Sequence, residues 1–83
     1  MKVQLRYFAS LREALGTGET VDAAPGSTVA QLRDALIARG APHAAALARG
    51  RAVRTALDQT LCDESARLHE GAELAFFPPV TGG

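Results

Sequence analysis

The sequence predicts an α+β protein: one main helix, with short extra helices beside it, packed on one side of a mixed four- to five-stranded sheet. Three observations lead there. Segments 3–8 and 73–77 alternate large apolar residues with residues of the opposite face at a period of two. Segment 28–40 carries a capping box, apolar residues at helical spacing and a glycine stop. The elements then run strand, strand, helix, two strands, strand, so a single long helix must cover the sheet.

Val3-Gln4-Leu5-Arg6-Tyr7-Phe8 opens the chain as a half-buried strand, with Val3, Leu5 and Tyr7 on one face and Gln4, Arg6 and Phe8 on the other. Ser10 is a candidate cap for a helical turn over Leu11 to Leu15, which Gly16 ends. Gly18 to Ala24 reads as a second strand, and Pro25-Gly26 turns the chain. Thr28 and Gln31 can bond each other's backbone, and Val29, Leu32, Leu36 and Ile37 form the apolar stripe of the main helix. Gln31, Arg33, Asp34 and Ala38 fall largely off that stripe, and Gly40 stops the helix. Ala41 to Gly50 reads as a short, weakly anchored helix after Pro42. Val53, Thr55 and Leu57 alternate as a third strand, Asp58-Gln59 turns, and Thr60-Leu61-Cys62 makes a brief fourth. Glu70-Gly71 turns into the last strand, Glu73 to Phe77. The first and last strands share a pleat phase, so they can lie side by side over the helix. This is a roll of ubiquitin type, with a domain over 1–79 and a flexible C-terminal tail over 80–83 ending Gly-Gly.

At 83 residues the chain has room for one core. Its hydrophobic fraction of 47% is that of a globular protein. A core so small leaves little volume for an internal active site. Nine basic and nine acidic side chains cancel, with no basic run, so neither nucleic acid nor a membrane surface is an expected partner. Lys2 is the only lysine, and the other positive charges are arginines. Cys62 stands alone, excluding a disulfide framework and a zinc spacing. No uncharged stretch approaches the ~18 residues of a membrane helix, and Met1-Lys2-Val3 leads straight into a strand. A cytoplasmic location is the expectation.

The usual catalytic parts do not assemble. His43 and His69 lie apart, have no ligand at metal spacing, and read as solvated surface histidines. Cys62 has no base beside it and reads as a packing residue. Gly16-Thr17-Gly18 lacks the strand–loop–helix context of a phosphate loop. Ser10, Ser27 and Ser65 have no partnered base.

The end of the chain, FFPPVTGG, is different. With 8 Gly in 83 positions, two terminal glycines arise by chance in about one chain in a hundred, and a cloning scar would also give them. The physical alternative is a cord without Cβ atoms, thin enough to thread a narrow channel. Pro78 and Pro79 would stiffen its base and direct it off the sheet. Its last carbonyl would then reach another protein's active site. A carboxylate is a poor electrophile, so Gly83 would first need activation, for instance by adenylation. The activated acyl group could take sulfur to give a thiocarboxylate, or a lysine amine to give an isopeptide. Phe8 and Phe77, each opposite the core face of its strand, together with Leu61, would form an apolar docking surface near the root of this cord.

FFPPVTGG at 76–83, ALDQTL at 56–61 and YFASLRE at 7–13 together resemble the family of molybdopterin synthase small subunits, and the likeness spans the whole chain except for 41–52. The resemblance implies a β-grasp, ubiquitin-like fold and a sulfur-carrier role without enzymatic activity of the isolated chain. It implies that an E1-like, ATP-using enzyme adenylates Gly83, that a sulfur-donor enzyme converts it to a thiocarboxylate, and that no cofactor or metal is held by the chain itself. The large synthase subunit would receive the tail, in a heterotetramer, and sulfur would pass to cyclic pyranopterin monophosphate to form a dithiolene. Gly82 would allow threading; Phe8, Arg12, Leu61, Phe77, Pro78, Pro79, Val80 and Thr81 would face the partner. A thiamine-pathway carrier, a ubiquitin-like modifier and an interaction domain with an inert tail share the architecture.

Overall fold

Lys2–Tyr7 (β1) buries Val3, Leu5 and Tyr7 and turns Lys2, Gln4 and Arg6 to solvent, as its alternation demands. In the computed structural model, which describes residues 1–79, β1 leads into α1 (Ala9–Leu15), β2 (Gly18–Asp22) and α2 (Val29–Ala38). α3 (His43–Ala46), β3 (Arg54–Leu57), β4 (Thr60–Cys62) and β5 (Ala72–Phe77) follow. The sheet runs β2-β1-β5-β3-β4. β1 and β5 are parallel neighbours at its centre, with Leu5 beside Leu74 and Tyr7 beside Phe76. The other pairs are antiparallel.

The α2 helix starts where its capping box sets it: the Gln31 N–H donates to Thr28 Oγ1 (3.2 Å) and the Thr28 N–H to Gln31 Oε1 (2.9 Å). Its Val29, Leu32 and Leu36 are buried in the same cluster as Val3, Leu5, Tyr7, Leu74 and Phe76. Each such side chain contributes roughly 1.5–3 kcal/mol on full burial. Pro25 and Gly26 form the turn before it, closed by the Ser27 N–H on Ala24 O (3.1 Å), with Gly26 at φ 80°. Asp58 and Gln59, both at positive φ, make the two-residue hairpin between β3 and β4. Segment 63–71 has no strand of its own, yet Arg67 bridges Thr28 and Leu68 is buried in the core.

Five expectations change. Phe8 leaves the strand and becomes the N-cap of α1, so Ser10 caps nothing; the chain must turn sharply here, and Ala9 takes a left-handed φ of 53° to do it. β2 ends at Asp22, two residues early, because its last paired position is opposite Lys2. Arg33 is not a solvated residue of α2: it is 3% exposed. Its guanidinium donates to Leu47 O (2.8 Å) and Ala48 O (2.8 Å) and pairs with Glu64 (2.7 Å). His43 is buried too, bonded through Nε2 to Glu19 (3.1 Å). The segment 41–52 is therefore anchored, by Leu47 in the core and by Arg33 across its backbone.

Candidate functional site: an open sheet face at the root of the tail

With α2 on one side, the other side of the sheet has no helix of the described residues over it. Register sets Arg6 beside Ala75, Ala75 beside Ala56, and Ala56 beside Leu61, a row crossing four strands. The two alanines in the middle are too short to fill the space between larger neighbours. The result is a shallow groove of about 280 Å³ lined by Arg6, Phe8, Ala56, Gln59, Glu73, Ala75 and Phe77. Leu61 (65% exposed) and Phe8 (42%) are the exposed large apolar residues among those described.

Each wall is fixed by backbone. The Phe8 N–H donates to Phe76 O (3.2 Å), tying the start of α1 to the end of β5. Phe8 O in turn accepts from Leu11 and Arg12. The Arg6 guanidinium lies 5.8 Å from the Phe8 ring centroid and pairs with Glu73 (3.2 Å), closing one end of the groove. Phe77 is half-buried and faces Arg54 across β3. Pro78 and Pro79 are half-buried directly after it. Arg12 is exposed on α1 and makes no ion pair with a described residue. Phe8, Leu61 and Phe77 thus share the open face, and Arg12 lies on the α1 helix that Phe8 caps. Val80, Thr81, Gly82 and Gly83 lie outside the described residues.

Behind the tail's root the packing is polar but satisfied. The Tyr7 ring stacks on Phe76 (6.1 Å between centroids) and meets His43 edge-on (6.4 Å). Its hydroxyl donates to Glu19 (3.3 Å), which also binds Arg39 (2.8 Å) and His43. Burial, and then the charge of Glu19, hold the Tyr7 phenol well above its usual range. Burial pushes the Glu19 carboxyl up, but the hydrogen bonds from Arg39 and His43 outweigh it and keep the group below its ordinary 4.5. Cys62 is half-buried, with Sγ 3.5 Å from Thr55 Oγ1, and packs against the core. Among the described residues no three His, Cys, Asp or Glu side chains gather as metal ligands, and no helix is long and apolar enough to cross a membrane. What the described face offers is an apolar surface and a rigid base for the segment that follows Pro79.

Sequence reasoning did not find Ala56, Ala75, Gln59 and Glu73, the groove's floor and far wall. Alanine in a strand signals weak propensity, not a cleft; the signal exists only once β3 and β5 are known to be neighbours.

A mixed five-stranded sheet with parallel central β1 and β5, wrapped on one long helix, is the β-grasp arrangement of ubiquitin-like proteins. The chain belongs to the ThiS family, whose model matches residues 5–83. The molybdopterin synthase sulfur carrier subunit of Escherichia coli (strain K12) is 42% identical to it over 81 residues, covering 98% of this chain and 99% of that protein. That of Haemophilus influenzae is 36% identical over 77 residues, covering 93% and 94%. The crystal structure of small archaeal modifier protein 1 from H. volcanii superposes with a TM-score of 0.76 at 25% identity, covering 95% of this chain and 98% of that one.

Proposed function

We propose that the chain is the sulfur carrier of a molybdopterin synthase and donates sulfur from its last residue. The observation that carries this reading is the near-full-length identity of 42% to a carrier of that kind; the open face of Phe8, Leu61 and Phe77 beside the tail's root supplies a physical means of docking. In the proposed sequence the Gly83 carboxylate attacks the α-phosphate of ATP on an E1-like enzyme, and pyrophosphate leaves. Sulfide-level sulfur delivered by a sulfur-donor enzyme then attacks the acyl carbon and AMP leaves, giving a thiocarboxylate. Gly82 and Gly83 carry no side chain to obstruct passage into the large subunit, where the sulfur is transferred to cyclic pyranopterin monophosphate. Phe8, Leu61 and Phe77 dock on that subunit, Arg12 pairs with an acid there, and Pro78, Pro79, Val80 and Thr81 line the way in. The isolated chain supplies no acid or base for the pterin chemistry.

The test is reconstitution. Thiocarboxylated chain mixed with the large subunit and cyclic pyranopterin monophosphate should yield the dithiolene product, and chain lacking Gly83 should yield none. Product formed equally well by the truncated chain would overturn the proposal. A second reading, conjugation of Gly83 to lysines of other proteins, is favoured by the likeness to the archaeal modifier protein; lysine-linked adducts in cells would support it.

A further inference from the structure

Of the eight arginines in the chain, five have partners within it. Arg6, Arg33, Arg39 and Arg49 pair with carboxylates, and Arg67 donates to Gly26 O. Arg12, Arg51 and Arg54 bond to no described residue through their side chains, and all three are exposed. They are not scattered. Arg12 stands on the first turns of α1, Arg51 lines a cleft with Ser10, Leu11 and Ala14 of the same helix, and Arg54 is opposite Phe77 in the β3–β5 register. The start of α1 is bonded to Phe76 near the end of β5, so α1 and Arg54 lie toward the end of the sheet where the tail begins.

The acids show the opposite distribution. Glu19, Asp22, Asp34, Asp58, Glu64 and Glu73 are paired with cations, Asp63 accepts from Ser65, and Glu70 accepts from the Lys2 N–H. Only Glu13 is unengaged among described contacts, and it adjoins Arg12 at a spacing that turns it to another side of α1. The three arginines without a side-chain partner are thus collected at one end of the sheet, while Arg67, which also lacks a carboxylate, is held by the Gly26 carbonyl.

We propose, on top of the sulfur-carrier reading, that Arg51 and Arg54 extend Arg12 into a cationic rim that steers the tail end onto carboxylates around the mouth of the large subunit's active site. A protein partner fits better than a polyanion: the three guanidiniums adjoin the apolar Phe8 and Phe77 instead of forming a stripe, and the neighbouring Arg6 and Arg49 are already paired with carboxylates. Rim charges of this kind act on the encounter rate and its salt dependence more than on the lifetime of the complex.

The experiment measures association of the full chain with the large subunit by stopped flow across ionic strength. The double variant Arg51→Gln/Arg54→Gln should associate about tenfold more slowly at low salt, with the difference vanishing at high salt and the dissociation rate unchanged. Glu13→Gln should associate faster. Arg67→Gln, which removes a charge remote from β5, should match wild type. Equal rates for wild type and the double variant would overturn the rim alone, as would an equal loss in Arg67→Gln. Failure of wild type to associate at all would overturn the sulfur-carrier reading together with it. Nucleotide binding by the free chain, lost in the double variant, would reassign the rim to phosphate and likewise overturn the proposal.

Discussion

Arg33 is the most deeply buried charged side chain among the described residues, at 3% exposure. One guanidinium spans the carbonyls of Leu47, Ala48 and Arg51 and the Glu64 carboxylate. Removing it orphans those acceptors and leaves the Glu64 charge with Arg49 alone. Arg33→Ala should cost about 3 kcal/mol in urea unfolding; a loss below 1 kcal/mol would show that segment 41–52 is held by Leu47 alone. At the far end of the sheet His69 pairs with Asp58, and the hydrogen bond it donates to that carboxylate raises the imidazole above its usual 6.5. The Glu73 N–H, and then His69, hold Asp58 below 3.8. The His69 contribution is complete below pH 6.5 and disappears as pH rises through its raised value. The Asp58 contribution is complete above pH 3.8 and disappears as pH falls through its lowered one. The pair is thus fully formed between those limits. Asp58→Asn should return the NMR titration midpoint of His69 toward 6.5, and an unchanged midpoint would contradict the pairing.

Among the elements, α2 and the hairpins are local constructions and the sequence states them openly. Thr28 and Gln31 fix the start of α2 by contacts three residues apart, so Thr28→Ala should lower stability by about 1 kcal/mol, measurable by thermal melting. β1 and β5 announce themselves by alternation, and Asp58-Gln59 announces a turn. What escaped reading depends on distant parts of the chain. Arg33 looks solvent-facing on a helical wheel because its partners are 14 and 31 residues away. His43 looks like surface until Glu19, 24 residues earlier, comes beneath it. Gly18 illustrates the same limit: a Cβ there would drive into the Leu5 carbonyl of β1, a demand invisible before β1 and β2 are paired. Gly18→Ala should therefore cost well over the ~0.5 kcal/mol that bounds most surface changes, read by urea unfolding. Of the candidate site, Phe8, Leu61 and Phe77 were legible as large apolar residues beside the core positions: Phe77 by pleat parity, Leu61 by its place in the brief β4, and Phe8 although it is the N-cap of α1 and not a strand residue. The alanine floor between them was not.

The whole molecule separates two tasks by sheet face. One face and α2 hold the fold; the other is left open, with Phe8, Leu61 and Phe77 round a groove and the chain leaving β5 at its edge. Because Leu61 contributes no core packing, Leu61→Asp should weaken association with the large subunit at least tenfold while the melting temperature stays within a few degrees.

The proposed function requires that the fold present a terminal carbonyl for chemistry performed elsewhere. Intact mass of the chain, co-expressed with an E1-like enzyme and a sulfur source, tests it most directly. The mass should rise by the difference between one sulfur and one oxygen, and deletion of Gly83 should abolish that rise. An unmodified wild-type mass under those conditions, or the same gain in the truncated chain, would contradict it.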